Sequence, residues 1–115
     1  MSEINKLTKK IHQFVKARDW KKFHNHKDLA LSLMIEAAEL AEHFQWKNEK
    51  EIKEAVQNNK TEIAEEIADV GIYLFELADN LGINLNEAMV EKIEKNAKKY
   101  PIKKARGNHL KYNKF

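Results

Sequence analysis

Helical spacing of apolar residues runs through most of this chain, and few residues interrupt it. The 115 residues include only three glycines and one proline, the two residue types that most strongly end helices. In the first segment, apolar side chains recur at Ile4, Leu7, Ile11 and Phe14, a spacing that predicts one apolar face of a helix. No segment shows a strand pattern. The sequence therefore predicts an all-α fold.

Capping and turn residues divide the chain into four main predicted helices. Their expected bounds are 2–17, Asp28 to about 46, Asn59 to about 81, and Asn84 or Asn86 to 100. Asp28 is the predicted N-cap of the second helix. Asn59 and Glu62 have the spacing of a capping box, Gly82 suits the position after a helix, and Pro101 stops the last one. These helices predict a four-helix bundle.

Two further segments lie between and after the main helices. Residues 47–60 are polar, with Ile52, Ala55 and Val56 indicating a short amphipathic helix. Residues 101–115 show no periodicity and are predicted to form a basic tail. The length of the chain fits one domain over residues 1–115.

The predicted third main helix is apolar on two sides. One stripe of apolar residues includes Ile63, Ile67 and Val70, and a second includes Ala64 and Phe75. A helix of this kind is either central or covered by a second subunit. In so small a chain, a homo-oligomer is the expected way to cover both sides.

Two acidic pairs, Glu36 with Glu39 and Glu66 with Asp69, stand in the most apolar helical stretches. Residues three apart share a helix face, so packing the two helices together would let all four carboxylates converge. A single such pair is common on solvated helix surfaces. Buried carboxylates need a positive partner, however, and neither stretch contains a Lys or Arg. A hard divalent ion such as Mg²⁺ is the simplest candidate.

A di-iron carboxylate bundle is the competing metal site. It requires Glu-x-x-His on two helices, but His43 stands four positions after Glu39, so the motif is absent. The other histidines lie elsewhere in the sequence. We interpret the remaining acidic residues near the two pairs as flanking charges: Glu42, Glu62, Glu65 and Glu76.

Composition limits the environment and the partners of the protein. The chain has no cysteine, which excludes disulfides and thiolate metal sites and predicts a cytoplasmic protein. No apolar run approaches the roughly 20 residues of a membrane span, and the polar first residues predict that no signal peptide is present. The net charge of +3 comes mainly from the tail. We therefore expect neither a membrane partner nor a nucleic-acid partner.

The ordered motifs resemble the MazG-like nucleotide pyrophosphohydrolases, and among them the dCTP pyrophosphatase branch. The signature of that family is Glu-x-x-Glu, a spacer and Glu-x-x-Asp, which here are Glu36, Glu39, Glu66 and Asp69. The resemblance extends over RDWKKFH (18–24), EAAELAEHFQWK (36–47), EEIADVGIYL (65–74), KIEKNAKKYP (92–101) and the Arg106-Gly107 pair. It covers most of the chain from about residue 14 onwards.

The resemblance implies hydrolysis of a nucleoside triphosphate between its α and β phosphates. It implies Mg²⁺, with Mn²⁺ as a substitute ion, bound by Glu36, Glu39, Glu66 and Asp69. Glu36 or Glu39 would orient or deprotonate the attacking water. The implied assembly is a homo-oligomer of helical subunits, either a tetramer built from two dimers or a dimer.

The resemblance also implies a set of nucleotide-binding residues. Trp20 and Trp46 would stack on the base, and His24 would bond the base or a phosphate. The remaining positions would approach the triphosphate or sugar: Tyr73, Lys92, Asn96, Tyr100 and Arg106. His26 and Asp28 stand where the family often has Pro and Asn, which leaves the preferred base open.

The leading prediction is an enzyme that removes dCTP or a related or modified pyrimidine nucleotide from the nucleotide pool. The main alternative is a non-catalytic helical oligomer that binds nucleotides or protein partners through the same pocket. Phosphoribosyl substrates are a further alternative, although Trp20 and Trp46 favour a base. A nucleic-acid binder using the basic tail is the weakest alternative.

Overall fold

The computed structural model describes all of residues 1–115 and contains helices and no strand. Five helices have ten or more residues: α1 (Glu3–Ala17), α2 (His26–Glu42), α3 (Glu49–Asn58), α4 (Lys60–Asn80) and α5 (Leu85–Lys99). A four-residue helix, α6 (Ile102–Ala105), follows, and 3-10 turns cover Lys21–Phe23 and Tyr112–Lys114. The predicted all-α class is confirmed. The short helix expected within residues 47–60 is α3, so five long helices are present where four main ones were counted.

The N-terminal caps differ from the predicted ones in two places. Asn25, not Asp28, caps α2, because the extended backbone of Asn25 lets its side chain accept from the Asp28 amide at 2.8 Å. The capping box predicted at Asn59 is also wrong, since that residue makes no side-chain cap bond. Its backbone is already used at the end of α3, where its amide donates to Ala55. The capping box forms instead between Asn48 and Glu51.

The C-terminal segment is more ordered than its sequence predicts. Gly82 adopts φ +70 directly after α4, as a glycine in the turn after a helix can. Beyond Pro101, however, α6 and the last 3-10 turn form where no periodicity was found. The Tyr100 ring packs edge-on against Tyr112 and Phe115, with centroids 6.1 and 5.8 Å apart. This aromatic cluster holds the end of the chain against the end of α5.

Helix α4 is the centre of the fold. It contacts each of the other four long helices, most extensively α2. Only five residues are buried, two of them on α4: Val15, Leu29, Ala55, Ile63 and Ala78. The helix α5 has no buried residue.

The protomer is extended for its length. Its radius of gyration is 17.7 Å, whereas a compact domain of this size has about 13 Å. Its principal extents are 49, 37 and 26 Å. A chain with this shape and so few buried residues leaves much apolar surface uncovered. None of its helices combines the length and the apolar character needed to cross a membrane.

Candidate active site

A polar seam runs along the contact between α2 and α4. We define this polar seam by eight residues, three from α2, the residue that follows it and four from α4: Ser32, Glu36, Glu39, His43, Glu66, Asp69, Tyr73 and Glu76. Successive members on each helix are three or four positions apart, so each set shares one helix face. His43, directly after α2, meets Glu66 early in α4, and His24, directly before α2, meets Glu76 late in α4. The two helices are therefore antiparallel.

Two histidine–carboxylate contacts close the ends of the polar seam. At one end, Nε2 of His43 lies 2.8 Å from Oε2 of Glu66. At the other, Nδ1 of His24 lies 2.7 Å from Oε2 of Glu76, and these side chains are only 20% and 11% exposed. The Asn80 side chain donates to the His24 carbonyl at 3.0 Å. This second bond ties the loop before α2 to the end of α4.

The carboxylates of the polar seam repel one another. The pKa of Glu36 is raised first by burial and then by the negative charge of the neighbouring Glu39. Asp69 and Glu66 raise the same pKa further. Since these Coulomb effects weaken with distance, the four predicted ligand carboxylates lie in one region. Their role as metal ligands stays a prediction.

Tyr73 lies in the middle of the polar seam as a neutral phenol. Burial is the main cause that raises its pKa, and the charges of Glu36, Glu76 and Asp69 add to it. The nearby Ser32 side chain acts on this pKa in the opposite direction. The phenol therefore keeps its proton and remains a hydrogen-bond donor beside the carboxylates.

The donor chemistry of the polar seam fits a hard divalent ion. No Lys or Arg forms an ion pair with its carboxylates, and carboxylate oxygens are the ligands that Mg²⁺ prefers. Oε2 of Glu66 is buried and has no hydrogen bond; its contact with His43 has ion-pair distance without hydrogen-bond geometry. In the side-chain conformations present, no three Asp, Glu or His groups converge closely enough to hold one ion. Side-chain rotation is thus needed to complete the site.

The two tryptophans lie in exposed turns on either side of α2. The Trp20 ring packs edge-on against Phe14, with a centroid distance of 5.8 Å, and remains partly exposed. Trp46 is 92% exposed and has φ +65. The interpretation of Trp46 as a helix end is wrong, because α2 ends at Glu42 and a turn follows. Both rings are available for stacking.

The remaining residues that are predicted to bind the nucleotide take no part in the contacts between polar-seam residues. Lys92 and Asn96 are exposed on α5, and Arg106 is exposed after α6. Neither Lys92 nor Arg106 forms an ion pair. Tyr100 follows the last residue of α5, with non-helical backbone angles, and its ring belongs to the aromatic cluster. Within the chain, only His24 and Tyr73 of the predicted nucleotide residues accompany the carboxylates.

Sequence reasoning missed three members of the polar seam. Ser32 stands four positions before Glu36, and His43 stands four after Glu39, so helical spacing alone places both beside the acidic pair on α2. Glu76 was interpreted as a flanking charge, although it follows Tyr73 by three positions on the same face of α4. Helical spacing could have identified all three residues from the sequence. The residues that they contact are visible only in the folded structure.

An antiparallel helix pair that holds a carboxylate-rich polar seam defines this chain as an all-α protein with a candidate metal site. The MazG-like family model matches residues 31–115. A pyrophosphatase structure from Archaeoglobus fulgidus superposes with a TM-score of 0.81 and 44% identity, covering 88% of this chain and 94% of that one. The chain belongs to the MazG-like family, which confirms the resemblance in its sequence.

Mammalian relatives agree with this assignment. dCTP pyrophosphatase 1 of Rattus norvegicus is 39% identical over 102 residues, and that of Homo sapiens is 37% identical over 102 residues. Each match covers 87% of this chain and 60% of the relative. The chain thus spans about 60% of the length of the curated relatives that it matches.

Proposed function

We propose that this protein is a Mg²⁺-dependent nucleotide pyrophosphohydrolase. It would hydrolyse a nucleoside triphosphate between the α and β phosphates to a monophosphate and pyrophosphate. The observation that carries the proposal is the polar seam, in which Glu36 is held near Glu39, Asp69 and Glu66 with no Lys or Arg to offset their charge. Family membership and the names of the relatives support the same reaction.

Each acidic pair has a defined part in this proposal. Glu36, Glu39, Glu66 and Asp69 would hold the ion, which when bound offsets phosphate charge and makes water more acidic. Glu36 or Glu39 accepts a hydrogen bond from the attacking water and takes its proton. The water oxygen bonds to phosphorus, the bridging P–O bond breaks, and the bridging oxygen leaves on the departing phosphate group.

Most of the groups that would recognise the nucleotide lie outside the polar seam. Trp20 and Trp46 offer aromatic faces for a base, and dCTP or a related or modified pyrimidine nucleotide is the proposed substrate. Lys92 supplies a positive charge and Asn96 a hydrogen bond to the phosphates or sugar. Tyr100 and Arg106 lie in the same C-terminal part of the chain as Lys92 and Asn96. Lys92 and Asn96 are exposed on α5, a helix with no buried residue.

A homo-oligomer is part of the proposal because large apolar side chains are exposed on three helices. Met34 on α2, Ile67 on α4 and Ile93 on α5 are each more than half exposed. Large exposed apolar surface is typical of protein interfaces. We expect sedimentation velocity at micromolar concentrations to show a dimer or a tetramer. A sharp monomer boundary at every concentration would contradict this part of the proposal.

The test of the reaction is a panel of nucleoside triphosphates assayed for pyrophosphate release with and without Mg²⁺. We expect release that requires Mg²⁺ and is greatest with a pyrimidine deoxynucleotide. Glu39→Gln and Asp69→Asn should each lower it at least about 100-fold, because even groups that only orient a metal ligand contribute 10–100-fold. Equal rates in these variants would show that the site is wrong. Tight binding of a non-hydrolysable triphosphate without turnover of any triphosphate would favour the non-catalytic alternative.

A further inference from the structure

His43 lies at the end of the polar seam and has no part in the reaction as proposed. It follows the last residue of α2, and its amide donates to Leu40 at 3.3 Å, which continues the helical turn. Its side chain is only 15% exposed, and its ring packs beside that of Phe44. The imidazole is therefore held by the helix end and by packing rather than left in solvent.

The one ion-pair contact of His43 is with a carboxylate that has no other partner. Its Nε2 atom lies 2.8 Å from Oε2 of Glu66. That oxygen is buried and makes no hydrogen bond, and the remaining ion pairs of the structure lie elsewhere. A buried carboxylate oxygen without a partner is costly. The position of this oxygen therefore depends on His43.

The contact with His43 involves one of the two oxygens of Glu66, Oε2. Glu66 contributes to the repulsion that raises the pKa of Glu36, so its carboxylate lies in an acidic region. His43 approaches Oε2 from the end of α2. With Oε2 turned towards the imidazole, Oε1 is the oxygen left for a ligand in the polar seam.

We propose that His43 is a positioning residue that orients Glu66 for metal binding. This inference rests on the proposed function, in which Glu66 is a metal ligand. His43 would fix the carboxylate so that one oxygen faces the imidazole and the other faces the ion. Groups that orient metal ligands in this way typically contribute 10–100-fold to metal affinity. Packing alone would make no such contribution.

The test compares His43→Leu with His43→Gln, because Gln keeps a nitrogen donor near the place of Nε2 whereas Leu removes it. Mg²⁺ affinity is measured by calorimetric titration, alone and with a non-hydrolysable triphosphate. We expect His43→Leu to weaken Mg²⁺ binding about 10-fold or more and His43→Gln to recover most of the loss. Melting temperatures without Mg²⁺ show that both variants fold.

His12→Leu is the matched control. It removes a histidine–carboxylate contact to α4 outside the polar seam, in which Nδ1 of His12 lies 3.8 Å from Asp79, and it should leave Mg²⁺ affinity unchanged. If the unsubstituted protein binds Mg²⁺ and His43→Leu binds it with the same affinity, the positioning role of His43 is overturned. The proposed function is not affected by that result. If the parent does not bind Mg²⁺ under either condition, the proposed function fails and this role fails with it.

A direct ligand role for His43 gives a different result. If His43 is a ligand, His43→Leu should weaken Zn²⁺ binding more than Mg²⁺ binding, because imidazole suits Zn²⁺, and His43→Gln should restore neither. That outcome would overturn a positioning role. Rescue of Mg²⁺ affinity by Gln, with similar losses for the two ions in His43→Leu, would support it.

Discussion

The polar seam and the C-terminal region, α5 with the segment after it, contribute about equally many candidate site residues but are built differently. At the polar seam, side chains from distant segments are paired: His43, directly after α2, with Glu66, and His24, in the loop before α2, with Glu76. In the C-terminal region, Lys92 and Asn96 are exposed and no residue of α5 is buried. Only the aromatic cluster around Tyr100 is internally packed.

This difference separates the two tasks of the proposed enzyme. A metal site is more precise when its ligands stand on rigid elements, and within one chain the α2–α4 contact supplies those elements. Phosphate and base recognition can be completed when the nucleotide or a second subunit arrives. Substitutions in the polar seam should therefore change metal binding, and substitutions outside it should change nucleotide binding.

The largest expected effect outside the polar seam is that of Lys92→Ala. A charge-assisted hydrogen bond contributes about 1.5–3 kcal/mol, so kcat/KM should fall roughly 10–150-fold. The increase in melting temperature caused by Mg²⁺ without nucleotide should not change. Lys98→Ala is the control, since Lys98 is also exposed on α5 but lies on another face. Equal losses in the two variants would mean that only general positive charge matters.

A smaller effect is expected for Trp46→Ala. Stacking on a base contributes about 1–3 kcal/mol, and because this ring is 92% exposed we expect the lower end, roughly a 5-fold rise in KM. Stability should change by less than about 0.5 kcal/mol. Trp46→Phe should retain most of the affinity. If KM is unaffected by Trp46→Ala, this residue does not meet the base.

The smallest expected effect concerns the pH dependence of stability without metal. The folded protein raises the pKa of Glu36, so it binds the proton more tightly than the unfolded chain does. The contribution of this group to stability is full below its unfolded pKa of about 4.3 and is lost as pH rises through the raised folded pKa. The melting temperature in EDTA should therefore fall by a few degrees over that interval.

The Glu36→Gln variant should lose this part of the pH dependence, and it should be more stable than the parent near neutral pH in EDTA. Glu42→Gln, which alters an exposed acid outside the polar seam, should keep the dependence of the parent. The measurement is thermal unfolding at a series of pH values. If the melting temperature of the unsubstituted protein rises relative to that of Glu36→Gln as pH increases, the result would contradict repulsion within the polar seam.

Much of the fold could be predicted because helix formation depends largely on local sequence, such as apolar spacing and helix-ending residues. Apolar spacing located α1. Gly82 marked the end of α4, and Pro101 marked the end of α5. The capping errors at Asp28 and Asn59 have a common cause. Several residues capable of capping stand near each helix start, and the backbone conformation of the assembled turn selects among them.

The sequence by itself determined that Glu36 and Glu39 share one helix face and that Glu66 and Asp69 share another, because the period of a helix is a property of the chain. Only the tertiary structure decided which face meets which. The antiparallel register of α2 and α4 placed His43 against Glu66, and the loop before α2 brought His24 to Glu76. Such pairings depend on packing between distant segments, which no local spacing encodes.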